Sequence, residues 1–93
     1  MALPFEWDRG KAEANRRKHG VDFREATTVF RDTLASTICD LDHSTPTEER
    51  ELTIGLSHRQ RLLVVAHCKR GNRIRVINAR LATRQERTEY EEG

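Results

Sequence analysis

A chain of 93 residues is long enough for one domain with a modest core and too short for two, so residues 1–93 are read as a single unit. With 35% hydrophobic, 5% aromatic and 34% charged residues, the core is expected to be thin and aliphatic, and the scarcity of rings counts against a sequence-specific reader of single strands. The net charge of +2 hides an uneven spread: from Ser57 to Arg87 the chain carries Arg59, Arg61, Lys69, Arg70, Arg73, Arg75, Arg80, Arg84 and Arg87 against Glu86 alone.

The acids stand elsewhere, at Glu48, Glu49 and Glu51 and in the tail at Glu89, Glu91 and Glu92. Such asymmetry fits a polyanion partner, and the preference for Arg over Lys favours phosphate gripped through paired hydrogen bonds. A solvated basic face explains the charge equally well. The N-terminus lacks the basic and apolar regions of a signal peptide, and no apolar run is long enough to span a membrane, so a cytoplasmic protein is expected. Cys39 and Cys68 have no metal-ligand spacing, and Cys68 reads as a reduced packing residue.

In chain order, Phe5 to Trp7 is a brief strand, followed by a helix from about Lys11 to His19, capped by Asp8 and stopped at Gly20. This helix has almost no apolar stripe. Asn15 and His19 share its inner face and read as hydrogen-bonded structural residues, while Lys11 and Lys18 share a face that could touch an RNA backbone or simply solubilise the surface. Asp22-x-x-Glu25 resembles a capping box, and Phe23, Ala26, Thr27 and Phe30 form the core stripe of a second helix ending at Asp32-Thr33. Strands are predicted over Ser36–Asp40 and Glu51–Ser57, with a loop around Asp42–Thr47.

The valine-rich run Leu62 to Cys68 and the alternating run from Arg73 are expected to form a hairpin turning at Arg70-Gly71-Asn72. Alternation places Ile74 and Val76 behind that second strand and Arg73 and Arg75 in front. A capping box at Thr83-x-x-Glu86 opens a terminal helix, Arg84 to Glu92, that is polar apart from Tyr90. The expected order is β-α-α-β-β-β-β-α: an α+β fold with a small, mostly antiparallel sheet, two N-terminal helices packed on one face, a short C-terminal helix, and the other face open.

The four histidines and the carboxylates show no metal-ligand spacing, and Gly-rich phosphate loops and nucleophile elbows are missing, so no cofactor and no metal are expected. What remains is RNA cleavage through the 2′-hydroxyl, which needs a base, cations for the charge building on phosphorus, and an acid for the leaving oxygen. Arg61, Arg73, Arg75 and Arg80 are the candidate charge stabilisers. His67, Glu86 and Tyr90 are the candidate proton carriers, although strand parity groups His67 with Leu63 and Val65 and argues for a packed ring. Arg59 and Arg84 complete the basic residues expected to bind RNA alongside Lys11, Lys18, Arg61 and Arg73.

Phe5-Glu-Trp-Asp8, Asn15-x-x-Lys-His-Gly-Val21, Phe23-x-Glu-Ala26, Val29-Phe-x-Asp32, Asp42-His-Ser44, Glu49-Arg50, Ile54-Gly55, Arg75-Val-Ile-Asn-Ala-Arg80 and Glu86-x-x-x-Tyr-Glu-Glu-Gly93 together resemble the BrnT family of type II toxins over nearly the whole chain. The resemblance implies a RelE-like α+β fold and a ribonuclease that cleaves mRNA and arrests translation, with ribosome dependence left open. It also implies a BrnA-type antitoxin with a DNA-binding domain, through which alone the pair would meet operator DNA. Asn78 departs from the Ser usual before Ala-Arg, and Leu81 from a basic residue. Within this frame Arg75, Arg80, Glu86, Tyr90 and His67 are the catalytic candidates. The alternative is a non-catalytic module that binds RNA or protein through the basic hairpin.

Overall fold

A computed structural model describes residues 4–93; the first three residues, part of the stretch read for a leader, lie outside the described residues. After a two-residue strand, β1 (Phe5–Glu6), the first helix, α1 (Arg9–His19), starts where the Asp8 carboxylate accepts the Lys11 N–H at 2.9 Å and stops at Gly20, whose φ of 68° suits a residue without a Cβ. Asn15 is the buried residue of α1. Its amide donates to the carbonyls of Val21 and Ala79 and accepts the Ala79 N–H, which bolts the helix to the sheet.

The second helix, α2 (Phe23–Thr27), is shorter than its apolar stripe predicts, because the chain tightens into a 3₁₀ turn at Thr28–Arg31. The tighter turn rotates Val29 into the core and leaves Thr27 half-buried. Asp22 caps α2 as expected, but Glu25 does not reach back to close a capping box: Arg61 and Ser57 draw its carboxylate inward.

The remaining strands are β2 (Ser36–Cys39), β3 (Arg50–Leu56), β4 (Leu62–Arg70) and β5 (Arg73–Leu81). They form a five-stranded sheet in the order β1-β5-β4-β3-β2, antiparallel except for β1, which runs parallel to β5. Central β4 is buried from Leu62 to Cys68 on both faces. Leu63, Val65, Val76 and Ala79 meet Val21, Phe23, Ala26 and Val29 in one core, with Phe5, Trp7 and Phe30 at its margin. Gly55 lets β3 approach that layer, since a Cβ there would sit 3.1 Å from the Val29 carbonyl oxygen.

One irregularity decides which side chains share a face. Ala66 pairs with Asn78 but His67 pairs with Val76, so Ile77 is an extra residue in β5. Without it, strict alternation would put Arg75 and Arg80 on opposite faces; with it, Arg73, Arg75, Asn78 and Arg80 all face away from α1 and α2.

That face is not open, as alternation and the two-helix layer predict. The last helix, α3 (Arg84–Glu92), roofs part of it and leaves a cleft of about 160 Å³ between Ile38, Leu52, Ile54 and Val64 below and Glu86 and Tyr90 above. Among the described residues no helix is long and apolar enough to cross a membrane.

Candidate nucleic-acid interface

The face opposite α1 and α2 carries a concentration of arginine at the hairpin end of the sheet. Register sets Arg75 beside Cys68 and Cys68 beside Arg50 in one row, and sets Arg70 beside Arg73 in the next. Glu6, opposite Arg75 on β1, accepts from the Arg75 Nη1 at 3.1 Å and lies 4.0 Å from the Arg73 Nε. Glu48 lies 3.3 Å from the Arg50 Nε and 3.4 Å from the Arg70 Nη2. Four guanidiniums thus share two carboxylates, and the pairing leaves a positive excess. Arg50, followed by Arg70, holds the Glu48 carboxyl below the usual carboxylate range. The side chains of Arg70 and Arg73 remain more than half exposed, so they can turn toward an incoming anion.

Further along β5, Arg80 forms a two-pronged pair with Glu86, Nη1 to Oε1 at 2.7 Å and Nη2 to Oε2 at 2.9 Å. The same Glu86 accepts the Thr83 N–H at 2.8 Å and closes the capping box of α3. Its hydrogen bonds from Arg80 outweigh burial and bring its pKa down to about 2. A carboxylate so firmly ionised is a poor base at neutral pH. Tyr90 also has a fixed partner: its hydroxyl donates to Asp32 Oδ2, which raises its pKa to about 12. Burial would push Asp32 up, but the bonds from Tyr90 and from the N–H groups of Leu56 and Leu34 hold it below its ordinary value. Glu86 and Tyr90, expected as proton carriers, are both engaged in tethering α3 to the sheet.

His67 faces the helix layer, on the other side of the sheet from the arginines. Its Nε2 is 2.7 Å from the Thr53 Oγ1, its ring meets Phe30 edge-on at 4.9 Å, and burial pushes its pKa down. His67, expected among the proton carriers, is 4% exposed and stands in the structure as a packed ring on the helix side of the sheet. Among the described residues its Nδ1 has no hydrogen-bond partner, a cost the Phe30 contact helps offset.

Arg61, expected to stabilise phosphate, is committed to Glu25, which is 3% exposed: Arg61 Nε donates at 2.9 Å, Nη2 makes a second bond to the same carboxylate, and Nη2 also reaches the Gly20 carbonyl at 3.1 Å. Ser57 Oγ donates at 2.7 Å to Glu25 Oε2, the oxygen that also accepts from Arg61 Nε, and Arg59 Nη1 stands 3.7 Å from Oε1. This network ties α2 to the start of β4, at the far end of β4 from Arg70. Lys11 and Lys18 are exposed on α1, in the layer behind the sheet, and do not share a face with Arg73 and Arg75. Arg84 opens α3 and is exposed, beyond the end of β5 that lies away from the Arg70–Arg73 turn.

The structure adds residues that sequence patterns did not single out for this face: Glu6, Glu48, Arg50 and Arg70. Arg50 lay inside a quoted motif and Arg70 inside the turn, but only the register of β3 and β4 brings them together. Among the described residues no group of three or more His, Cys, Asp or Glu could hold a metal ion.

Comparison with known proteins agrees with this fold. A family model described as the ribonuclease toxin BrnT of type II toxin–antitoxin systems matches residues 7–86. Among solved structures, the chain is similar to the Brucella abortus ribonuclease toxin BrnT, solved at 1.1 Å resolution, with a TM-score of 0.67 and 22% identity over 88% of this chain and 99% of that one, a likeness that establishes the fold. No curated protein matches the sequence. Since the family model spans most of the chain, from Trp7 at the first strand's edge to Glu86 in α3, this protein belongs to the BrnT family of ribonuclease toxins of type II toxin–antitoxin systems.

Proposed function

We propose that this chain is a metal-independent endoribonuclease that cleaves mRNA through the 2′-hydroxyl and so arrests translation, with the helices behind the sheet and the arginine face in front in a RelE-like arrangement. The observation that carries the reading is the cluster of Arg50, Arg70, Arg73 and Arg75 over two carboxylates on one face. As the 2′-oxygen attacks, negative charge accumulates on the non-bridging phosphate oxygens, and fixed guanidiniums stabilise that charge more than the ground state. Arg73 and Arg75 are the residues assigned this role. Arg80 contributes chiefly by anchoring α3, since Glu86 offsets its charge.

The antitoxin partner that a type II system implies is taken to be a BrnA-type protein whose DNA-binding domain brings the pair to operator DNA. Support for a protein partner comes from β2, an edge strand beside which Leu34, Ile38 and Leu41 are 72%, 61% and 80% exposed. Apolar groups so exposed at a sheet edge favour a protein cover, and the cleft under α3 is continuous with Ile38.

Inducing the wild-type gene in a bacterial host is expected to stop growth, and the folded double variant R73A/R75A to relieve the arrest. A double variant that folds and remains fully toxic would overturn the assignment. The second reading, a non-catalytic RNA binder, draws support from the tethered state of Glu86 and Tyr90. It predicts RNA that shifts in a gel but stays intact.

A further inference from the structure

With His67 buried and Glu86 and Tyr90 tethered, the arginine face needs another group to move a proton. One imidazole is carried by a loop hydrogen-bonded to the backbone of Arg50. Asp40 follows β2 and its N–H donates to the Arg50 carbonyl at 2.7 Å, on the neighbouring strand, one ladder step of roughly 4.8 Å away. Ser44 closes the connection, accepting the Arg50 N–H at 2.9 Å and donating to the Asp40 carbonyl at 2.7 Å. The loop between Asp40 and Ser44 is therefore fastened to Arg50, and His43 is on it.

The His43 Nδ1 lies 2.9 Å from Asp40 Oδ2, and the two side chains differ sharply in exposure, 65% for His43 and 14% for Asp40. A carboxylate can only accept, so Nδ1 carries the proton and the opposite nitrogen, Nε2, is left as an acceptor facing solvent. Among the described residues, His43 is the histidine whose ring a carboxylate orients. His58 bonds Thr28 at the other end of β3, and His67 bonds Thr53 in the core. A base aimed by a third group is the arrangement that proton-transfer chemistry requires.

We propose that His43, aimed by Asp40, is the proton carrier of an RNA-cleaving site whose scissile phosphate is held by Arg50 and Arg70. The inference rests on the ribonuclease reading above and extends it to residues outside the hairpin strands. His43 Nε2 takes the 2′-hydroxyl proton as the 2′-oxygen bonds to phosphorus. The bond from phosphorus to the 5′-oxygen breaks, that oxygen takes a proton from water, and the hydroxide so formed takes back the proton held on His43, leaving a 2′,3′-cyclic phosphate, a 5′-hydroxyl and a neutral imidazole. Arg50 and Arg70, already drawn together by Glu48, swing onto the phosphate and join Arg73 and Arg75 in stabilising the charge that builds on it.

The test uses the full-length protein and an end-labelled RNA whose cleavage positions are first mapped with the wild type. His43→Ala is expected to cut about 100-fold more slowly or worse, to bind the same RNA with unchanged affinity, and to regain cleavage at the same positions when free imidazole is added. The R50A/R70A variant is expected to lose both affinity and rate. Cleavage by His43→Ala at the wild-type rate overturns the inference while leaving the ribonuclease reading intact. A slow variant that imidazole does not restore, or that also loses RNA affinity, overturns it in favour of a structural role for His43. Wild-type protein that leaves RNA whole overturns the ribonuclease reading and this inference with it.

Discussion

Tyr90 reports on its own surroundings, because it is the chain's single tyrosine. Its hydroxyl bond to Asp32 raises its pKa to about 12, so ultraviolet titration is expected to show the phenolate forming near pH 12, and ionisation near the ordinary value of 10 would mean that the tether is absent. A folded pKa above the unfolded one means that the bond stabilises fully below about pH 10 and is lost as pH rises toward 12. Glu25 makes the opposite kind of statement. Its carboxylate is buried, and breaking such a pair by Glu25→Gln is expected to cost about 3 kcal/mol, measured by urea unfolding. Arg61→Ala should likewise lower stability, yet the folded fraction should bind RNA as the wild type does. A loss of affinity that matches the loss in R73A would return Arg61 to the interface.

At the scale of elements, Ile77 is the test of how β5 is built. Deleting it restores strict alternation and turns Asn78 and Arg80 toward the helix layer while Ala79 swings out of the core. The deletion is expected to lose its cooperative thermal transition, whereas Ile77→Ala should keep one; equal melting of the two would rule out the bulge. The anchoring of α3 is a matter of pH. Glu86 has a pKa lowered to about 2 from an ordinary 4.5, so its pair with Arg80 stabilises above about pH 4.5 and is lost as pH falls toward 2. Glu86→Gln should therefore be less stable than wild type at pH 7 and no different near pH 2. Much of this level was legible in the sequence, because Asp8, Gly20, Gly71 and the Thr83–Glu86 box act through local backbone chemistry. The bulge, the parallel pairing of β1 with β5 and the row from Arg75 to Arg50 depend on partners dozens of residues away, and no local pattern encodes them. The spacing of Glu86 and Tyr90 showed that they share a helical face. It could not show that Arg80 and Asp32 already occupy them.

For the whole molecule, the sheet divides the work. One face buries Leu63, Val65, Val76 and Ala79 against α1 and α2, and the other gathers charge at the hairpin end and carries, toward the far end of β5, a helix that buries no residue of its own. The charge asymmetry visible along the sequence therefore becomes a position: Arg50, Arg70, Arg73 and Arg75 at one corner, with Arg61 and Arg59 diverted to Glu25 at another. The claim on which the account depends is that this corner cleaves RNA. The most direct measurement incubates purified protein with labelled RNA in a chelator, with and without ribosomes, and identifies the fragment ends. Fragments ending in 2′,3′-cyclic phosphate, formed by the wild type and lost in folded R73A/R75A, are the result predicted. Intact RNA under both conditions, or cleavage undiminished in the double variant, would contradict it.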